Sequence, residues 1–457
     1  MKICSLYGAG FYYMPGTDTC LKVGGFVRAE INANAGGSFA VATSGDFTSN
    51  TFSSAQTWRS RAGVTLDARS QTEYGTLRSY FVMATTSTQS QSGAWSATAG
   101  NFNASGFNVG NPGTSGSDPY TRLWSNAAFI QFAGFTAGKT GSFFDFDLQP
   151  YSNQTNFWGS NLAGGGIEVF AYTAQFGNGL SASISAESAN GHRTAIVSGP
   201  TVPAGAVAGF VTTWGYGNQN VPDIVGNLRI DQAWGSAQVM GAYHDLNANN
   251  ATGAAIQAGV PAANTSSMHG SGWAAGAGVK FNLPMIGKGD YIQAQFTASN
   301  GASLYSASGA GSFALTSNNG LTLHQGPFND AVVTASGGLD KTKAWSITGG
   351  FEHFWNTQWK TSLYGAYGKL SYSDDASNVL RPTTAAAGTS ANWSYWQIGS
   401  RTVWTPVTNL DLSVEAMYNH LDTAWGTASA GAIATGTSYD NKSWVSGIFR
   451  VQRNFYP

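Results

Sequence analysis

Much of the chain alternates apolar and polar residues one by one, the period of a strand with two different faces. From Trp58 to Arg69, one face reads Trp58, Ser60, Ala62, Val64, Leu66, Ala68; the other reads Arg59, Arg61, Gly63, Thr65, Asp67, Arg69. Leu21, Val23, Val27, Ala29 and Ile31 share a face opposite Lys22, Phe26, Arg28 and Glu30. Leu180, Ala182, Ile184 and Ala186 alternate with Ser181, Ser183, Ser185 and Glu187, as Leu410, Leu412, Val414 and Ala416 do with Asp411, Ser413 and Glu415. The pattern predicts strands near 21–31, 58–69, 76–85, 122–133, 135–141, 168–176, 180–187, 226–232, 236–244, 272–283, 291–298, 344–354, 360–370, 394–404, 410–419 and 444–454.

Short connections such as Gly177-Asn178-Gly179, Pro284 to Asp290 and Thr405 to Asn409 take turns with long ones rich in Gly, Ser, Thr, Asn and Ala. The long ones fall near 32–57, 86–121, 142–167, 188–225, 245–271, 299–343, 371–393 and 420–443. Sixteen strands, eight long loops and seven short turns predict an all-β fold, a transmembrane antiparallel up-and-down barrel. Bacterial outer-membrane barrels keep their turns short on the periplasmic side and their loops long outside, which puts both termini of this chain in the periplasm. Closure is obligatory, because an open sheet edge in hydrocarbon leaves backbone groups unpaired. A barrel of this size is too wide to fill with side chains and leaves an aqueous channel, so the strand count itself points to conduction. The expected organisation is a periplasmic segment over 1–20, a barrel over 21–455 and a tail at 456–457.

Composition narrows the setting. Charged residues are 10% of the chain, against about 25% in soluble proteins, yet mean hydropathy is slightly polar at −0.14. No apolar run approaches the roughly 18–20 residues of a spanning helix. With 59 glycines and 13% aromatics, this fits a Gram-negative outer-membrane barrel in contact with lipid. Aromatics gather at predicted strand ends: Trp58, Tyr80, Trp124, Trp234, Tyr243, Trp273, Tyr291, Trp345, Trp355, Trp359, Trp404, Tyr418, Trp444 and Phe455. They suggest interfacial girdles. A net charge of −1 without a basic cluster gives no reason to expect nucleic acid. Cys4 and Cys20 are expected to pair in an oxidising compartment. Met1-Lys2-Ile3 opens a short, glycine-interrupted apolar stretch without a small-x-small cleavage site, so a mature chain lacking its export signal is expected.

The polar face carries the candidate chemistry. An arginine facing mid-bilayer lipid costs roughly 2–4 kcal/mol, so Arg59, Arg61 and Arg69 are expected inside, with Arg28 and Arg78 on the polar faces of the two neighbouring strands. These five form a candidate basic patch on one stretch of inner wall; a periplasmic or surface charge cluster is the other reading. The third long loop, 142–167, is unusually aromatic, with Phe143, Phe144, Phe146, Phe157 and Trp158, and carries Asp145 and Asp147. Either it packs on the inner wall, where the two carboxylates would oppose the arginines and set up a transverse field, or it is a surface loop with its own small core.

Several blocks carry a resemblance. Lys2 to Tyr13 and Pro15 to Lys22, Gln71 to Arg78, Pro222 to Gly226, Asp231 to Gln238, Val279 to Gly287 and Phe449 to Phe455 resemble the alphaproteobacterial porin family. The matches span essentially the whole chain, and the first block is specific. The resemblance implies a sixteen-stranded general-diffusion porin, a homotrimer in outer-membrane lipid, with its third loop folded into the lumen. Small hydrophilic solutes and ions would pass, and no cofactor is implied. Barrels like these commonly end on an aromatic read by the assembly machinery; here Tyr456 and Pro457 follow Phe455, as a tag remnant or a displaced signal.

Rival readings are weaker. Ala133 to Thr140 nearly matches a phosphate-binding loop, but Gly141-Ser142-Phe143 is a poor start for the helix that such a loop must open. The six histidines are scattered without ligand spacing. His244-Asp245 is the best pair for an enzyme, with no nucleophile to single out, so no enzyme is expected. An adhesin would need polar outer faces. A substrate-specific uptake channel for sugars or dicarboxylates remains the alternative.

Overall fold

The computed structural model describes residues 3–33, 56–89, 107–108, 120–146, 149–153, 159–160, 166–197, 215–217, 219–249, 267–307, 314–316, 322–324, 327–334, 338–381, 388–424, 437–438 and 441–455. Sixteen strands build one antiparallel sheet. They are β1 (Cys20–Ala33), β2 (Gln56–Thr72), β3 (Gly75–Gln89), β4 (Tyr120–Trp124 and Ala128–Phe132), β5 (Phe135–Thr140), β6 (Ile167–Gly177), β7 (Leu180–Glu187) and β8 (Asp223–Gln232). There follow β9 (Gly235–Asn249), β10 (Ser267–Asn282), β11 (Tyr291–Asn300), β12 (Lys343–Phe354), β13 (Trp359–Ser371), β14 (Trp393–Val407), β15 (Leu410–Asp422) and β16 (Lys442–Asn454). Each strand pairs with its sequence neighbours, and β16 returns to β1 from Phe26↔Asn454 to Ala33↔Gly447. The sheet is a closed barrel with no free edge.

Every expected strand is present in the expected order, and most run longer at the long-loop end. β9 was expected over 236–244 and pairs on to Asn249. Beyond the lipid band the outer face need not be apolar, so alternation stops while backbone pairing continues. The short turns use the chemistry that tight hairpins demand: Asn178 and Gly179 have φ of 49° and 74°, the left-handed pair of a type I′ turn. A Cβ at Gly179 would run into the Asp231 carbonyl.

The faces are inside out relative to a soluble protein. Val64, Leu66, Phe81, Met83, Val239 and Leu363 are exposed, whereas Asp67, Gln238, Gln293, Glu352, Gln397 and Arg401 are buried. The apolar face meets lipid and the polar face turns to the lumen. Trp58, Trp234, Tyr243, Trp273, Trp345, Trp355, Trp359, Trp404, Tyr418 and Phe455 are exposed on the outside. Tyr80, Trp124, Tyr291 and Trp444 turn inward instead. Each lies on the polar register of its strand, where Trp124 donates to Thr86 and Tyr291 to Glu352. Strand parity, not nearness to a strand end, decides which way an aromatic points.

Cys4 and Cys20 form a disulfide with Cα atoms 6.0 Å apart. The segment it closes packs on the inner face of β1 and β2 near the short-turn rim, with Arg69 over the rings of Tyr7 and Phe11 at 5.7 and 4.9 Å. Lys139 lies in β5, cross-strand from Glu168. The run that resembles a phosphate loop is therefore a hairpin, not a helix start. Among the described residues no helix is long and apolar enough to cross a membrane.

Candidate functional site

One side of the lumen is a wall of arginines. Strand alternation sends Arg28, Arg59, Arg61, Arg69 and Arg78 inward, and register sets Arg28 beside Arg61 and Arg69 beside Arg78. Adjacent like charges repel, so each pair is bracketed by a carboxylate. Glu30 lies 3.6 Å from Arg59 and 3.0 Å from Arg450 across the closing seam. Asp67 takes two hydrogen bonds from Arg69, at 3.0 and 2.7 Å, and two from Arg78, both at 3.0 Å. Arg28 donates to Gln452 at 2.8 Å, and Arg61 stacks 5.2 Å over Trp124.

The third long loop lies along the opposite wall. Its start is pinned at β7, where Glu187 accepts from the Ser142 hydroxyl at 2.7 Å and the Phe143 amide at 2.9 Å. Asn227 of β8 donates to the Phe143 carbonyl at 2.7 Å, and the Phe146 amide donates to Gln295 of β11 at 3.0 Å. Phe144 is fully buried against Tyr305. Phe146 sits on Gly278 of β10 and Tyr151 on Gly350 of β12, where a Cβ would collide with either ring. Two glycines of the inner wall are thus the seats for two aromatic rings of the loop.

The far end of this stretch is clamped at Asn153. Its amide donates to Glu415 and its side-chain nitrogen to Ser413, each at 2.8 Å. Its side-chain oxygen accepts from Arg401 at 3.3 Å and Arg450 at 2.7 Å, and its carbonyl from Arg450 at 3.0 Å. Ser152 adds a bond to Glu415 at 2.8 Å. Arg401 is held in turn by Glu352 at 2.7 Å. Arg450 thus ties the loop to Glu30 and so to the arginine wall.

Of the two loop aspartates, Asp145 is half-buried and accepts from Ser160 of its own loop. Burial pushes its carboxyl up to about 7, the Ser160 hydroxyl holds it down, and the charge of Glu187 raises it further. Its backbone lies at Gln238 of β9, eight strands round from β1. Its carboxyl is turned to the loop and not to the arginines. Asp147, Phe157 and Trp158 lie outside the described residues. The Asn153 clamp, with Glu187, Glu415, Arg401 and Arg450, escaped sequence reading. Alternation marks each of these strand residues as inward, but their convergence on one loop is a long-range fact.

A second polar cluster ties the fourth and sixth long loops together. His244 of β9 meets Asp223 of β8 at 2.8 Å, not its sequence neighbour Asp245, whose nearest charged group is Arg193 at 3.8 Å. Adjacent residues on a strand leave opposite faces, which is why the candidate His244-Asp245 pair of the enzyme reading does not form. Tyr216 bridges His244 and Asp330 at 3.0 and 2.9 Å, and Tyr305 donates to Asp223 at 2.8 Å. His192 stacks on Tyr305 with ring centres 3.9 Å apart. Burial pushes its imidazole down to about 4.

The model of a family described as the porin subfamily matches residues 1–448. The chain belongs to that porin subfamily. Among curated relatives, porin Omp2b of Brucella neotomae is 25% identical over 305 residues, covering 62% of this chain and 71% of that one. Porin Omp2b of Brucella suis biovar 1 (strain 1330) is 26% identical over 254 residues, 54% of this chain and 57% of its own length. Among solved structures, the outer-membrane channel DcaP of Acinetobacter baumannii superposes with a TM-score of 0.57 at 15% identity, covering 97% of this chain and 99% of that one; this supports the fold alone. This porin is an integral protein of the bacterial outer membrane.

Proposed function

We propose that this porin is a passive diffusion channel for small hydrophilic solutes and ions, its pore narrowed between the third loop and the arginine wall of β1–β3. The observation that carries the reading is the loop itself. Its described residues 142–146 and 149–153 are bonded to inward-facing residues from β7 round to β16, which favours the arginine side as the open path. No energy source is required beyond the solute's gradient. Its working form is a homotrimer, as the family resemblance implies, and Arg28, Arg59, Arg61, Arg69 and Arg78 line the path.

Single-channel recording in a planar bilayer, with the reversal potential under a salt gradient, tests this. Large ohmic steps arriving in threes with a small reversal potential are expected. Block of those steps by micromolar to millimolar sugars or dicarboxylates would favour a substrate-specific uptake channel. Correctly folded protein that conducts nothing would overturn the proposal.

A further inference from the structure

Below the seated loop, on the short-turn side, β8–β11 line a recess of about 450 Å³ roofed by Phe146 and Pro150. Its polar wall includes Arg229, Asp231, Ser236, Lys280, Asn282 and Gln293. All six sit on the inward register of their strands, so the recess opens to the lumen. Two cations reach it, and they differ. Arg229 is committed: it forms a bidentate pair with Asp231 at 2.8 and 2.9 Å and lies 5.4 Å from the Phe146 ring. The Lys280 ammonium sits 4.3 Å over the Tyr291 ring, and among the described residues no carboxylate lies within ion-pair distance of it. The hydroxyl of that tyrosine is spent on Glu352 at 3.0 Å, and Glu352 is already paired with Arg401 and Lys360 at 2.7 and 3.2 Å.

Resting on the channel reading above, we infer that this recess is a binding stop for small oxyanions, with Lys280 supplying the charge and Ser236, Asn282 and Gln293 the polar lining. The chemistry favours an oxyanion over a sugar or a cation. Lys280 brings three ammonium donors that no protein carboxylate answers, and a cation would meet two positive groups for the single Asp231. The aromatic ring and the guanidinium of Arg229 position the site; Lys280 makes it attractive. A loose, water-filled recess suits a solute that must leave again, since conduction needs binding weak enough for exit.

The test is the concentration dependence of phosphate current through reconstituted wild-type channels and three variants, with conductance in potassium chloride as the check that the barrel is intact. Phosphate current should saturate in wild type. Lys280→Gln should raise the half-saturating concentration roughly fivefold, the weight of one contact charge in water. Lys280→Arg should restore wild-type behaviour. Asn282→Asp sets a carboxylate at the edge of the recess without touching the lysine, and should weaken saturation in the same direction. Lys288→Gln, at the same rim but outside the recess, should leave it unchanged. Identical saturation in wild type and Lys280→Gln, or an equal effect from Lys288→Gln, would overturn the recess as a site. Loss of chloride conductance in wild type would instead overturn the channel reading beneath it.

Discussion

Asn153 is the residue on which the loop's position turns. It meets two arginines, a glutamate and a serine from β14, β15 and β16. Hydrogen bonds to charged groups contribute about 1.5–3 kcal/mol each. Asn153→Ala removes the side-chain bonds to Ser413, Arg401 and Arg450, keeps the backbone bonds to Glu415 and Arg450, and is therefore expected to loosen this end of the loop while leaving the barrel folded. Single-channel conductance should rise and its noise increase; an unchanged conductance would mean that the loop is held elsewhere. Asp145 makes the seat sensitive to pH in a defined direction. Its carboxyl is raised to about 7 from an ordinary 3.8, so the seated loop keeps its proton over a range in which the released loop has lost it. Below about 3.8 both states are protonated and nothing is lost. As pH climbs from there to about 7, the released state binds fewer protons and the seat weakens; above 7 the loss is complete and constant. Thermal melts should show Asp145→Asn stabilising the protein at pH 8 and neutral at pH 3.5. Equal effects at both pH values would remove Asp145 from the account.

At the scale of elements, close approach is decided by glycines as much as by hydrogen bonds. Gly278 and Gly350 are flat places on the inner wall onto which Phe146 and Tyr151 settle. Gly278→Val should fold, because its own strand geometry is ordinary. Overpacking a contact of this kind costs about 1–3 kcal/mol, and here the loop would give before the barrel does. The expected readout is a larger conductance with an unchanged melting temperature of the barrel; a barrel that fails to form would show the strand itself to be intolerant. The N-terminal element behaves differently, because its anchor is covalent. Replacing Cys4 and Cys20 with serine should cost about 3 kcal/mol in the chain-entropy view. That loss should appear as faster proteolysis of the first twenty residues with β1–β16 still closed; full protection would mean that packing on Arg69 suffices. These elements also show what the sequence can carry. Period-two alternation marked every strand and its inner face, because lipid on one side and water on the other enforce it residue by residue. It also sent Arg28, Arg59, Arg61, Arg69 and Arg78 inward. It could not show where a loop lands, since the meeting of Asn153 with Arg450 is 297 residues apart in sequence; the inward turn of Tyr291 and Trp444 was in the alternation, and nearness to strand ends pointed the other way.

For the molecule as a whole, charge is unevenly placed although the chain is nearly neutral. The β1–β3 wall carries Lys22, Arg28, Arg59, Arg61, Arg69 and Arg78 against Glu30 and Asp67, six positive groups to two negative, an excess of four. Among the described residues the facing loop offers little to offset this, because Asp145 is turned to the Ser160 hydroxyl of its own loop and binds a proton up to about pH 7. In the proposed channel a permeating ion would pass between a positive wall and a loop whose described residues are nearly neutral, and the path should favour anions weakly, its field opposed by free counter-ions in the lumen. Screening sets how weakly. The Debye length is about 10 Å at 0.1 M salt and about 3 Å at 1 M, so the reversal potential should have the anion sign at low salt and shrink towards zero as mean salt rises at a fixed gradient. Arg28→Gln with Arg61→Gln removes the two side-by-side charges and leaves Glu30 paired with Arg59 and Arg450. The reversal potential of that variant should move towards the cation side at low salt and match wild type at 1 M. A variant indistinguishable from wild type at low salt would mean that ions do not pass along this wall, and the open path would have to be sought on the loop's side of the lumen.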